Sequence, residues 1–234
     1  MSESESESES AGNSGPISIH TARGPLHGQL AVPDGAGGLI ILAHAGFSPE
    51  SQDNALAAAL RHAGFATLTL DLLPPEEARF ADAHNNVPLL TQRLLDGIAL
   101  IKRLMQDKTL PSLPLGLCAA GDTSPVIVRA SAQRDRDIAA IVCRGGLIDL
   151  AGGLYLRLLT SPLLVLIGEH EHRLLVSSQR ALREVACNKA LEIIPDSGSD
   201  FASETAFAAV ASSTVRWFET YCRAQTQAAV NDRT

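Results

Sequence analysis

The sequence predicts an α/β fold, with a mainly parallel central sheet and helices on both of its faces. From Ile17 onward, short apolar runs alternate with longer segments of helical period, the order expected of buried strands joined by crossover helices. With 234 residues, 45% of them hydrophobic and 19% charged, the chain can bury a full core, and one domain suffices.

Residues 1–15, M-S-E-S-E-S-E-S-E-S-A-G-N-S-G, offer almost nothing to bury and carry repelling carboxylates. A disordered Ser/Glu tail is expected there, either a solubilising leader or an acidic docking segment. The folded domain is expected over 16–225 and a flexible tail over 226–234. Runs at 28–32 and 39–44, on either side of a P-D-G-A-G-G turn, are expected to open the sheet as a hairpin. Later strands are expected at 66–71, 113–119, 138–143, 162–168 and 191–194. The clearest helix carries Leu90, Leu94, Ile98, Ile101 and Met105 at three- and four-residue spacing, a stripe that reads as core. The polar stretch 72–87 is the longest interruption, placed where it could border a pocket at the carboxyl ends of the strands. Residues 205–222, with Val210, Val215, Trp217, Phe218 and Tyr221, read as a closing amphipathic helix.

Charge and cysteine usage narrow the partners. A net charge of -7 with no Lys/Arg-rich patch argues against nucleic acid. Cys118, Cys143, Cys187 and Cys222 form no C-x-x-C pair, so they are expected as reduced, buried thiols rather than a zinc ribbon or a disulfide framework. The N-terminus lacks the basic start and apolar stretch of a signal peptide, and no apolar run approaches a membrane span. A cytoplasmic protein without a cofactor is expected, its partner a small-molecule ligand or another protein; nothing in the sequence sets its oligomeric state.

Five blocks carry a resemblance: L-I-I-L-A-H-A-G, G-F-A-T-L-T-L-D-L-L-P-P-E-E, L-P-L-G-L-C-A-A-G-D-T, I-V-C-R-G-G-L-I-D-L-A-G and P-L-L-V-L-I-G-E-H-E. In order and spacing they resemble the dienelactone hydrolase-like α/β-hydrolases, including the hydrolase domains fused to phosphoribosyltransferase-like domains. The resemblance runs from about residue 39 to 221. It implies the α/β-hydrolase fold and, with no phosphoribosyl-binding loop in the sequence, no transferase chemistry.

Carried over residue by residue, the resemblance makes Ala45, Gly46 and Phe47 the oxyanion-hole loop, whose backbone N–H groups would stabilise a tetrahedral intermediate. His44 opens that loop and is read as bracing it in preference to acting as a general base. The nucleophile should sit on a sharp strand-to-helix turn, and two registers compete. Cys118 in G-L-C-A-A is a thiol version of the motif, but it shortens the strand and puts Pro125 in the second helical turn, costing roughly 3 kcal/mol. The other register makes 113–119 a normal strand, moves Pro125 to the tolerated first turn and leaves Gly121 where a serine belongs. Gly121 is preferred, since glycine relaxes the backbone strain of such elbows. Asp122 beside it reads as a partner of the helix dipole.

The family's acid falls on Glu171. The run E-H-E-H over 169–172 reads as a polar turn, although His170 and His172 would share a side in extended geometry; no metal is expected. The catalytic histidine position, two residues before an aromatic, falls on Ser199 ahead of Phe201, and no histidine follows His172. Arg144, Gly145 and Gly146 are expected to form a tight turn, with Arg144 meeting an anionic ligand group or an ion pair such as Asp149. The expectation is a hydrolase fold that has lost its triad and binds a ligand or a partner. The alternative is a thiol-dependent hydrolase of esters or lactones using Cys118, with His44 or His170 as base.

Overall fold

The structure, a computed structural model, describes residues 14–21, 24–46, 52–134 and 137–223. Most of the 1–15 segment and all of 226–234 therefore lie outside the described residues. Gly15, expected in the tail, already opens a strand.

The strands are β1 (Gly15–Thr21), β2 (Gly24–Ala31), β3 (Leu39–His44), β4 (Ala66–Asp71), β5 (Leu115–Ala120), β6 (Ile138–Arg144), β7 (Leu163–Gly168) and β8 (Lys189–Ile194). Among the described residues they form an eight-stranded sheet in the order β1-β2-β4-β3-β5-β6-β7-β8. From β4 to β8 every pairing is parallel, as runs of continuous apolar residues demand when helices cover both faces. The hairpin expected between 28–32 and 39–44 does not form. β2 pairs antiparallel with β1 and with β4, because β3 takes the central place between β4 and β5, where both of its faces are buried.

The helices are α1 (Asp53–His62), α2 (Pro75–Ala78), α3 (Ala81–His84), α4 (Val87–Gln106), α5 (Ser124–Gln133), α6 (Gly153–Leu158), α7 (His172–Glu184) and α8 (Glu204–Phe218). The two-residue period of the strands divides the core. Leu39, Ile41 and Ala43 of β3 face the side covered by α4, α5, α6 and α7. Ile40 and Leu42 face α1 and α8 through Leu56, Leu60, Val210 and Phe218. α4 begins at Asn86, whose side chain accepts from the Leu89 N–H, the expected work of an N-cap. Its stripe of Leu90, Leu94, Ile98 and Ile101 is fully buried. The closing helix runs over Glu204–Phe218 and ends in a π-turn at Glu219–Arg223. Within 72–87 the single-turn helices α2 and α3 stand as an arm beside the β3 and β4 ends, and Arg93 of α4 anchors it. The Arg93 guanidinium, 2% exposed, donates to both carboxylate oxygens of Glu77 (2.7 and 2.9 Å) and to the Leu72 carbonyl (3.0 Å). Among the described residues, no helix is long and apolar enough to cross a membrane.

Candidate functional site

The carboxyl ends of β3 to β8 converge on one rim, as open α/β sheets direct their ligands. β5 ends at Ala120, and Gly121 turns the chain with φ +53 into a short 3-10 turn and then α5. This is the left-handed geometry of a sharp strand-to-helix elbow, which glycine adopts without strain. A Cβ placed on Gly121 would meet nothing within 4 Å. Pro125 falls in the first turn of α5, where its missing N–H costs nothing. Asp122 is exposed in the elbow turn, at the amino end of α5.

Cys118 lies inside β5, hydrogen-bonded in register between Leu42 and Val142, and is 0% exposed. Burial pushes its thiol up to about 11, against the direction that activates a nucleophile.

The neighbouring loops close on the elbow. Gly145, with φ +65, follows β6; its Cβ would come within 2.6 Å of the Ser199 carbonyl oxygen. At Gly146 a Cβ would overlap the Gly121 carbonyl oxygen and the Ser124 hydroxyl, and at Gly168 the Ser197 and Gly198 carbonyls. Glycines are thus required where the β6 and β7 ends abut the elbow and the loop after β8. Glu171 Oε1 accepts from the Ser199 N–H at 3.2 Å, and Glu169 Oε2 from the Asp196 N–H at 3.0 Å. The E-H-E-H run therefore fastens the loop after β8 with its two carboxylates. Lys108, Asp196 and Phe201 are the non-glycine residues with positive φ among those described. Two of them bracket Ser199, and such stored strain concentrates at functional sites. Glu171 and Ser199 meet through this hydrogen bond, and Gly121 reaches their loop across Gly145 and Gly146.

On the α1 side of the sheet, the row after Leu42, Cys118 and Val142 holds His44, Ala120 and Arg144. Arg144 is 2% exposed, and its guanidinium is paired with Oδ1 of Asp53, the first residue of α1. The expected partner Asp149 is instead in the turn Ile148–Ala151. Arg144 is the last residue of a strand and points to the α1 face, whereas Asp149 follows the Gly145 turn. His44 Nδ1 stands 4.0 Å from Asp53 Oδ2 and has no hydrogen-bond partner, although it is shielded from solvent.

A cavity of about 520 Å³ opens beside this row, with His44, Asp53, Asn54, Thr69, Asp71 and Leu73 in its lining. None of Gly121, Glu171 and Ser199 lines it. Asp71 closes the other end of the β3 loop, its Oδ1 accepting from the N–H groups of Gly46 and Leu73, both at 2.9 Å. His84 of α3 reaches the same loop: Nδ1 is 2.9 Å from the Ala45 carbonyl oxygen and Nε2 is 2.6 Å from the Ala78 carbonyl oxygen. Ala45 and Gly46 thus stand beside the cavity, while Phe47 lies outside the described residues. Asp53, Asp71 and His84 escaped the sequence reading. Asp71 had a signal, a carboxylate ending an apolar run; the other two depend on contacts across 91 and 39 residues of chain.

No family model matches the chain. It is 33% identical over 196 residues to two putative phosphoribosyl transferases of Mycobacterium tuberculosis, from strains CDC 1551 / Oshkosh and ATCC 25618 / H37Rv. The match takes in 83% of this chain but 43% of each relative, so the chain spans less than half the length of the curated relatives it matches. Among solved structures it is similar to a dienelactone hydrolase from Anabaena variabilis, with a TM-score of 0.83 at 29% identity over 90% of this chain and 98% of that one. Est1E from Butyrivibrio proteoclasticus has a TM-score of 0.70 at 15% identity, covering 87% and 99%. A predicted CIB-like hydrolase from Thermoplasma acidophilum has 0.65 at 13%, covering 88% and 98%.

Proposed function

The chain has the α/β-hydrolase fold and is dienelactone hydrolase-like, and from that premise we propose that it has lost the hydrolytic triad and binds a small ligand in the cavity beside the β3 and β4 strand ends, in the cytoplasm. One observation carries the reading: the elbow is formed at Gly121, with open space where a nucleophilic side chain would project. Glu171, in the acid position, spends one oxygen on the backbone of Ser199, in the histidine position. A carboxylate with no imidazole to orient does not activate a nucleophile, and losing both nucleophile and base costs several orders of magnitude in rate.

The cavity supplies the binding volume. Its size falls within the range of small-molecule sites, and apolar walls with a few convergent polar groups are their usual lining. Cys118 as a nucleophile is disfavoured by its burial and raised thiol. A protein partner in place of the small ligand would change mass in solution without filling the cavity. Phosphoribosyl transfer, the activity in the names of the mycobacterial proteins, is not part of the proposal.

The test is p-nitrophenyl acetate turnover. Wild type and Cys118→Ala should both stay at the buffer rate. The double variant Gly121→Ser/Ser199→His, which returns nucleophile and base beside Glu171, should raise turnover by about a hundredfold or more. Enzyme-level turnover in wild type that Cys118→Ala abolishes would overturn the reading. A cavity ligand should raise the melting temperature, by the equivalent of about 2.7 kcal/mol at a hundred times its Kd.

A further inference from the structure

We propose that the ligand of the cavity beside β3 and β4 is a small amine, held as its ammonium by Asp71, with an apolar chain or ring against Pro16, Leu73 and Pro75. The proposal rests on the reading above that this cavity binds a small ligand, and it adds the ligand's charge and head group.

The lining holds two carboxylates, Asp53 and Asp71, and among the described residues no Lys or Arg joins them. The segment between Gly46 and Gln52, F-S-P-E-S, contains neither residue type. Arg144, expected to meet an anionic ligand group, is absent from the lining and is paired with Asp53, whose charge it offsets. Asp71 is held differently. Its Oδ1 accepts from the N–H groups of Gly46 and Leu73, both at 2.9 Å, and among the described residues nothing donates to its Oδ2. Neutral backbone donors thus fix the carboxylate while its charge and one oxygen remain for a ligand.

Strand register places further acceptors around it. Thr69, two residues before Asp71 and so on the same face of β4, pairs with Gln29 of β2, and both line the cavity with Asn54 of α1. An ammonium carries three N–H donors and no acceptor. One can go to Asp71 Oδ2 and the others to the hydroxyl and amide oxygens of Thr69, Gln29 and Asn54. An anionic ligand would meet the reverse, a like charge at Asp71 and no cationic side chain for its oxygens, in a site that screens charges less than water does. Quaternary ammonium groups are held by aromatic rings, and among the described residues none lines the cavity; the head group therefore bears N–H. The described residues also bring together no group of three metal-ligating side chains, which favours an organic cation over a metal ion.

The test follows the amide chemical shifts of Gly28, Asn54 and Leu73 during titration with two matched sets of probes. One set is benzylamine, benzyl alcohol and benzoate; the other is hexylamine, hexanol and hexanoate. In both, the amine should bind at least about tenfold more tightly than the alcohol, the contribution of one charge-assisted hydrogen bond, and the carboxylate more weakly than either. Asp71→Asn keeps an Oδ1 for the Gly46 and Leu73 N–H groups, so the loop stays in place. It should remove the amine's advantage and leave the alcohol's affinity unchanged. Alcohol, carboxylate or benzyltrimethylammonium binding as tightly as the matching amine, or an amine advantage that survives Asp71→Asn, overturns the proposal while the cavity remains a ligand site. If no probe moves the cavity signals, the ligand reading of the cavity falls together with the proposal. Ester turnover by wild type would refute the loss of the triad and leave the order of head groups untouched.

Discussion

At the residue scale, the pairing of Arg144 with Asp53 sets the floor of the site. A guanidinium that is 2% exposed loses most of its hydration, and Asp53 is what offsets the cost. Removing one partner strands the other, so Arg144→Met alone should destabilise the fold by about 3 to 5 kcal/mol. Asp53→Leu/Arg144→Met, which removes both charges, should recover most of that loss. Urea unfolding of wild type, both single variants Arg144→Met and Asp53→Leu, and the double variant measures the coupling; equal losses in Arg144→Met and the double variant would show that packing of the long side chain matters more than its charge. Asp53 Oδ2 stands 4.0 Å from His44 Nδ1, and both residues line the cavity.

At the element scale, the rim depends on strand ends meeting without side chains between them. Gly146 packs on the elbow carbonyl and on Ser124, and Gly168 packs on the loop that carries Ser199. Gly146→Ala should cost about 1 to 3 kcal/mol through overpacking, since backbone cannot withdraw as a flexible side chain can. Gly153→Ala, whose nearest neighbour would be the flexible Arg157 side chain at 3.4 Å, serves as the control and should fall within about 0.5 kcal/mol of wild type. Thermal melts of the two variants side by side decide the point. The same constraint explains why Gly145 and Gly146 follow β6 as a pair: one takes the positive φ and the other allows the close approach.

At the scale of the whole molecule, its buried thiols tie stability to alkaline pH. Burial raises Cys118 from 9.0 to about 11 and Cys222 from 9.0 to about 12, and it raises Cys143 further. The unfolded chain gives up these protons first. The folded state's advantage is therefore complete below 9.0 and is lost as pH climbs through the folded values. For Cys118 the loss from 9.0 to about 11 amounts to roughly 3 kcal/mol. Unfolding free energies at a series of pH values should fall over this window, and less steeply in Cys118→Ala. Parallel curves for the two proteins would mean that Cys118 does not ionise on unfolding in that range.

The sequence by itself determined the alternation of strands and helices, the buried stripe of α4 and the resemblance that led to the α/β-hydrolase fold. These rest on local period and on order along the chain, which a reader of residues can follow. It also narrowed the elbow to Cys118 or Gly121, because a proline inside the second turn of a helix is costly wherever the helix packs. Tertiary structure decided what depends on distance through space. It placed β2 beside β4 instead of β3, since pairing is chosen by which faces must be buried, and a turn signal says nothing about that. It also joined Arg144 to Asp53 across 91 residues and brought His84 onto Ala45 across 39. The physical reason is common to these cases: periodicity records which face of an element is buried, while the partner of a buried charge is fixed only when the elements have packed.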